Sequence, residues 1–278
     1  MDQQTKNEIY SSDLGVYTSK RIRGVPALII GLQNDRISMT GVRKLITSIK
    51  NTNSFVDPFI LPATTPETVT TDLAQFGLTE NDWKWPKNPG ESRLDVKSGL
   101  QHHGYGAKDW RKVLACLVSH MRAWHYAAQL NIPVLVLEHD AIFAKTFSEK
   151  NFNELIESEI TTTTAAGEDS VGVIGLNDPR GATRKSSVYL EKVLESTSNG
   201  NVKVPAPWID DKYIPQGIAG NSAYIIGPKA ARKLFTLISE HGLWPNDAIM
   251  CKQLMGPILH QAYPFYTGLQ GISSTTQG

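Results

Sequence analysis

Along this chain the spacing of apolar residues changes again and again between a strand-like run and a helical repeat, and the changes mark out its elements. Val25-Pro26-Ala27-Leu28-Ile29-Ile30 is a short apolar run closed by Gly31, as expected of a buried strand. From Ser38 to Ile49 the apolar residues Val42, Leu45, Ile46 and Ile49 recur at helical spacing. Phe55 to Leu61 predicts a second strand, so the chain opens with the strand–helix–strand order of a parallel sheet unit. The clearest helix runs from Trp110 to Leu130, with Val113, Leu117, Met121, Trp124 and Ala128 on one face, and it stops at Asn131 before Pro133.

The second half repeats the theme. Val134-Leu135-Val136-Leu137 is a wholly apolar strand that runs directly into Glu138-His139-Asp140. Val171 to Leu176 predicts another buried strand, ending in the turn Asn177-Asp178-Pro179. Ile218 to Ile226 predicts a further strand with Gly220-Asn221-Ser222 inside it, and Gly227-Pro228 opens a helix from Lys229 to Glu240. Asp247 to Leu254 predicts one more helix. Between the second strand and the long helix, Ala63 to Gly106 is rich in Thr, Pro, Gly and Asn and reads as a long surface excursion, with a short helix at Pro66 to Phe76. The organisation expected is a polar extension over 1–24, one α/β domain over 25–272 with the excursion at 63–106, and a tail at 273–278.

Composition narrows the class. The chain has 278 residues, enough for a sizeable core, and a formal net charge of +1, which gives no electrostatic case for nucleic acid. Cys116 and Cys251 sit in apolar, helix-like surroundings and are expected as reduced thiols. Residues 1–6 are polar and lack the order of a signal peptide, and no run approaches a membrane span. The expectation is a soluble, cytoplasmic protein with at most peripheral membrane association.

Candidate chemistry gathers at a few places. Glu138-His139-Asp140 follows a buried strand, where ligands bind in open α/β sheets, and its two carboxylates suit Mg²⁺ or Mn²⁺ carrying a diphosphate. His139, between them, is either a ligand or a solvent-facing residue. His120 and Arg122 on the long helix are candidates for phosphate or sugar contact, although a single helix histidine is more often structural. His125 is a weaker case of the same kind. Asp247 opens a helix, which makes it an N-cap or else a general base for an acceptor hydroxyl. His260, near the end of a late strand-like segment, is a possible further metal ligand. His102, His103, Tyr105, Arg180, Arg184 and Lys185 are weaker candidates, each readable as solvated surface.

Several segments together resemble glycosyltransferase family 25, the group of bacterial lipooligosaccharide galactosyltransferases and collagen galactosyltransferases. The opening strand and turn, Leu28 to Arg36, occupy the place of the family's Asn-Leu…Arg segment. Ala115-Cys116-Leu117-Val118-Ser119-His120, with Trp124 following, resembles its Gly-Cys-x-x-Ser-His segment. Leu137-Glu138-His139-Asp140-Ala141-Ile142-Phe143 resembles its Leu-Glu-Asp-Asp run. Gly220-Asn221-Ser222-Ala223-Tyr224-Ile225-Ile226, Ala230 to Leu234 and Pro245-Asn246-Asp247 follow in the family's order. Gly31 stands where Asn is usual, Lys112 and Ala115 replace Glu and Gly, and His139 replaces the middle Asp, so the chain reads as a divergent member.

The resemblance implies a GT-A-like, Rossmann-type mixed sheet flanked by helices in a single domain. It implies transfer of a hexose, galactose or glucose, from a UDP-sugar donor to a glycan or lipid-linked saccharide acceptor, as in lipopolysaccharide biosynthesis, with inversion and with Mn²⁺ or Mg²⁺. Under it, Asp140, His139 and His260 are candidate metal ligands, with Glu138 and Asp247 in catalysis. Leu32, Gln33, Arg36, Ser119, His120, Arg122, Glu138, Gly220, Asn221 and Ser222 are candidate substrate contacts. Two other readings remain open on the residues alone. One is a nucleotide-sugar or carbohydrate-binding protein with a decayed transferase site; the other is a metal-dependent phosphohydrolase built on the same acid-x-acid pair.

Overall fold

The computed structural model describes residues 23–157, 171–182, 185–197 and 202–272. The terminal segments expected at 1–24 and 273–278, Arg184 and most of the polar stretches at 161–164 and 196–201 lie outside these residues, apart from 23–24 and 196–197. Strand β1 (Val25–Gly31), helix α1 (Arg36–Asn51) and strand β2 (Val56–Pro62) form the opening unit, and β1 and β2 pair in parallel as their order predicts. Asp35 caps α1 by accepting a 2.7 Å hydrogen bond from the Ser38 amide. Next come the short helix α2 (Val69–Ala74), a 3₁₀ turn at Glu80–Asp82, and an antiparallel hairpin of β3 (Ser92–Asp95) and β4 (Leu100–His103).

Helix α3 (Trp110–Leu130) has the bounds that its periodicity gives, ending where Asn131 adopts a left-handed conformation at φ 53°. β5 (Val134–Glu138), β6 (Ala141–Phe143), α4 (Glu149–Glu157), β7 (Val173–Gly175), α5 (Ser186–Glu195) and β8 (Val202–Pro205) follow. β9 (Ala223–Ile226), α6 (Pro228–His241), α7 (Asn246–Ile249), α8 (Lys252–Met255), β10 (Leu259–Tyr263) and β11 (Thr267–Leu269) complete the order.

The main sheet has seven strands in the order β2-β1-β5-β9-β7-β10-β8. β9 runs antiparallel to both β5 and β7, and β8 is antiparallel to β10, so the sheet is mixed, as expected. One face buries Leu28, Val136 and Tyr224 beneath α3 and α6. The other buries Ile29, Leu137 and Ile225 beneath α1 and α4. This two-sided cover explains why the central strands read as continuous apolar runs rather than alternating ones.

Three expectations need correction. The excursion at 63–106 holds the short helix expected within 66–76, as α2, but the rest is not a loop over the surface: it carries the β3–β4 hairpin, and its Trp83 and Trp85 are buried in the main core. Polar spacing hid this, because the segment buries a few large aromatic rings instead of a periodic face. The strand predicted over 218–226 is confined to Ala223–Ile226, since Gly220 takes φ +76° and a Cβ there would approach Ala182 to 2.8 Å. The helix predicted over 247–254 is two short helices, separated where the Lys252 amide turns to donate to the Gln216 carbonyl.

Candidate active site

The carboxyl ends of β1 and β5 open into a cleft of about 1020 Å³, lined by Ile30 in β1 and Leu32 just after it, and by Glu138 at the end of β5 with His139 and Asp140 in the turn that follows. Its far wall holds Cys116, Ser119 and His120 from α3, with Gly220, Asn221, Asn246 and Asp247 from the later segments. A smaller lobe of about 410 Å³ joins it, and Tyr105, Asn221 and Asp247 line both.

The turn that carries the acids is fixed from behind. Gln270 donates its side-chain amide to the carbonyl oxygens of Gly41, His139 and Ala141, at 2.8–3.1 Å. Gly41 in α1 lies so close that a Cβ would come within 2.4 Å of the His139 carbonyl oxygen. The Glu138 amide donates to the Ser222 carbonyl at 2.7 Å, tying β5 to the Gly220–Ser222 loop.

Glu138 is held by a buried chain of hydrogen bonds. Trp124 Nε1–H donates to the Tyr224 hydroxyl oxygen at 2.8 Å, and that hydroxyl lies 2.8 Å from His120 Nδ1. His120 Nε2 lies 3.1 Å from Glu138 Oε1. An ionised carboxylate only accepts, so Nε2 carries the proton and Nδ1 receives the Tyr224 hydroxyl hydrogen. The chain therefore runs Trp124 to Tyr224 to His120 to Glu138 with every donor used. Burial alone would raise the Glu138 carboxyl, but the hydrogen bond from His120 outweighs it and holds Glu138 below the usual carboxylate range.

Asp140 behaves in the opposite way. Burial, with the Glu138 charge beside it, raises its pKa to about 7. Its Oδ1 is buried with no hydrogen-bond partner, and so is Nε2 of His139. Two carboxylates two residues apart, both lining the cleft and one with an unpartnered buried oxygen, form a hard oxygen donor set that fits Mg²⁺ or Mn²⁺. Cys116, His120 and Glu138 also bring three potential ligand atoms within 4.8 Å of one another. That trio suits a cation less well: both His120 nitrogens are already bonded. The Cys116 thiol is pushed well above its ordinary value by burial and by Glu138, Asp247 and Asp140, so it stays protonated.

Asp247 lies where the two lobes meet, surrounded by protein yet reached by solvent through the cleft. The N-cap reading is corrected, because Pro245 occupies the cap position and Asp247 lies in the first turn of α7. Its carboxylate instead accepts a 2.5 Å hydrogen bond from the Tyr105 hydroxyl. Burial raises the Asp247 pKa, and the Tyr105 bond opposes the rise.

A family model described as glycosyltransferase family 25 (LPS biosynthesis protein) matches residues 90–250, more than half of the chain. The chain belongs to glycosyltransferase family 25. No curated protein matches it. The matched span contains α3, the acid turn, the Gly220–Ser222 loop and Asp247, so the family's own segments build most of the cleft. Among the described residues, no helix is long and apolar enough to cross a membrane.

In this family-25 chain not every candidate reaches the cleft. Leu32, Ser119, His120, Glu138, His139, Asp140, Gly220, Asn221 and Asp247 line it. Gln33, on the turn after β1, and Arg36, the first residue of α1, are exposed and outside its lining. Arg122 donates to the Pro62 carbonyl at 2.6 Å, and Ser119 accepts from the Thr64 amide at 2.9 Å, so both clasp the turn after β2. Ser222 accepts from the Asn177 side chain. His260 is a correction: it sits on β10, which β9 and β7 separate from β5, about 14 Å across the sheet at ordinary strand spacing. Burial and the nearby Lys203 and Lys252 lower its pKa to about 4. His125 packs against Phe76 and Phe235. Arg180 pairs with Asp178, and Lys185 pairs with Asp210. Cys116 and Cys251 are free thiols, as expected.

Sequence reasoning quoted Tyr224, Trp124 and Cys116 within the family segments without giving them a part in the site, and gave Tyr105 little weight. The signal for Tyr105 was its place in Gly104-Tyr105-Gly106, where a lone aromatic residue between glycines has the freedom to reach across to another element.

Proposed function

We propose that this chain transfers a hexose from a UDP-sugar to a saccharide hydroxyl, inverting the anomeric centre, with Mg²⁺ or Mn²⁺ bound at Asp140 and His139 beside Glu138. The observation that carries the reading is the contrast across one turn. Glu138 is held ionised by His120, while Asp140 two residues later has an unpartnered buried oxygen and a pKa of about 7. A divalent cation there would offset the charge that builds on the departing diphosphate. The larger lobe would hold the donor, with Leu32 against the nucleotide and Glu138 facing the ribose or sugar.

Asp247 is the proposed base. Its raised pKa brings it closer to the working pH, where proton transfer from an acceptor hydroxyl is most effective. The Tyr105 hydrogen bond aims the carboxylate and keeps it from being protonated too readily. Asn221 lies beside it with neither side-chain oxygen nor nitrogen partnered, well placed to bind sugar hydroxyls.

The test is UDP release from a panel of UDP-sugars, with Mn²⁺ or with EDTA, in wild type and Asp140→Ala. Metal-dependent release from one donor is expected, falling by about a thousandfold in the variant. Undiminished turnover in Asp140→Ala would remove the cation site from this turn. Tight UDP binding with no release under any condition would favour a binding protein instead.

A further inference from the structure

The smaller lobe is a chamber with its own chemistry. It meets the donor cleft at Tyr105, Asn221 and Asp247, so a molecule seated in it presents its groups to the proposed base. Its volume of about 410 Å³ is within the range of small-molecule sites. Trp85 forms part of one wall and cannot swing away: its indole N–H donates to the His103 carbonyl at 2.9 Å, and its ring stacks on His102 at 4.1 Å. Tyr105 stands edge-on to it at 5.9 Å. This wall is fixed by its own packing, so a ligand that fills the lobe need not order new side chains there.

The charges of the lobe decide what kind of sugar fits. Lys185 is the one lysine or arginine among the described lining residues, and its ammonium is 2.9 Å from the Asp210 carboxylate. That pair cancels, which among the described lining residues leaves Asp247 as the uncompensated carboxylate. An acceptor bearing a carboxylate or phosphate would place a second negative charge beside Asp247, with Glu138 and Asp140 beyond it. A neutral saccharide carries no such penalty, and its hydroxyls match the unpartnered oxygen and nitrogen of Asn221, which itself is only 7% exposed.

We propose that the smaller lobe is the acceptor subsite and that it selects a neutral saccharide through the Lys185–Asp210 pair and Asn221. This rests on the transferase reading above, so the test keeps the two apart by measuring binding without turnover. Methyl β-galactoside and methyl β-glucoside are titrated into the full chain by saturation-transfer NMR, against methyl β-glucuronide, and UDP is titrated separately. The neutral glycosides should bind at least about tenfold more tightly than the glucuronide.

Asp210→Asn keeps an oxygen for the Asp211 amide it now serves, and it leaves Lys185 without its counter-charge. In that variant the preference for neutral sugars should shrink to under about threefold or reverse. Ile214→Trp, which narrows the lobe from its lining, should weaken the neutral glycosides by about tenfold or more. Equal or tighter binding of the glucuronide by wild type would overturn the proposal. So would failure of the neutral glycosides to bind, or an Asp210→Asn ratio that does not move. Failure of UDP to bind would instead count against the donor site, and glycoside selectivity would still be read on its own.

Discussion

His102 and His120 are both wholly buried, and their surroundings share almost nothing. His120 bonds at both nitrogens, to Tyr224 on one side and to Glu138 on the other, and so transmits the order of a buried network to a carboxylate in the cleft. His102 is sandwiched among rings, stacked on Trp85 at 4.1 Å and edge-on to Trp244 at the same distance, and burial depresses its pKa to about 4. Burial by itself therefore says little about a histidine's task. What separates the two is whether the polar atoms of the ring lead anywhere.

The comparison breaks most visibly at His120. His120→Phe keeps a ring in the pocket and removes both hydrogen bonds, so Glu138 loses the donor that opposes its desolvation. Turnover should fall by roughly 10- to 100-fold, the usual cost of losing a group that orients a functional carboxylate. Steady-state kinetics at saturating donor, beside a melting curve to exclude simple unfolding, reads the effect. Unchanged turnover would place His120 with His102 as core.

A smaller effect is expected at Tyr105, where the same logic concerns the proposed base. Tyr105→Phe removes the 2.5 Å hydrogen bond that lowers the Asp247 pKa against burial. The folded-state pKa of Asp247 should then rise further. The acid limb of the rate profile, which reports deprotonation of the base, should move to higher pH, with about a tenfold loss of rate below neutrality. A limb that stays in place would mean that Asp247 is not the group that titrates.

The difference between the two histidines also measures how much the sequence can disclose. β1, α1, β2, α3 and β5 were legible because each buries a periodic or unbroken apolar face, and periodicity is a local property. Glu138 and Asp140 were legible because a strand end is where such a sheet places ligands. The partners of Glu138 were not. His120 and Tyr224 are 104 residues apart, and only the pairing of β5 with β9 beneath α3 brings them together. His102 was unreadable for a related reason, since its neighbours Trp85 and Trp244 come from segments 17 and 142 positions away and neither segment has a repeating pattern. The misassigned His260 shows the converse error: chemistry suited to a metal, on a strand that lies on the wrong side of the sheet.

The smallest effect on activity belongs to His102, and there the reading is thermodynamic. His102 is held neutral in the folded chain with a pKa of about 4, against an ordinary value of 6.5. Below pH 6.5 the unfolded chain binds a proton that the folded chain resists, so stability is intact above that value and is lost as the pH falls toward 4. Between pH 7.5 and 4.5 this one group should cost on the order of 2 kcal/mol. His260, lowered to a similar value, adds a slope of its own, so the informative quantity is the difference between wild type and variant. His102→Phe keeps an aromatic ring against Trp85 and Trp244 and cannot take up a proton. Its urea midpoint should fall less than that of wild type between the two pH values, while its turnover at pH 7.5 stays within about twofold. Parallel loss of midpoint in the two proteins would show that His102 is already protonated in the fold. A collapse of turnover would tie the aromatic nest to catalysis and erase the distinction from His120.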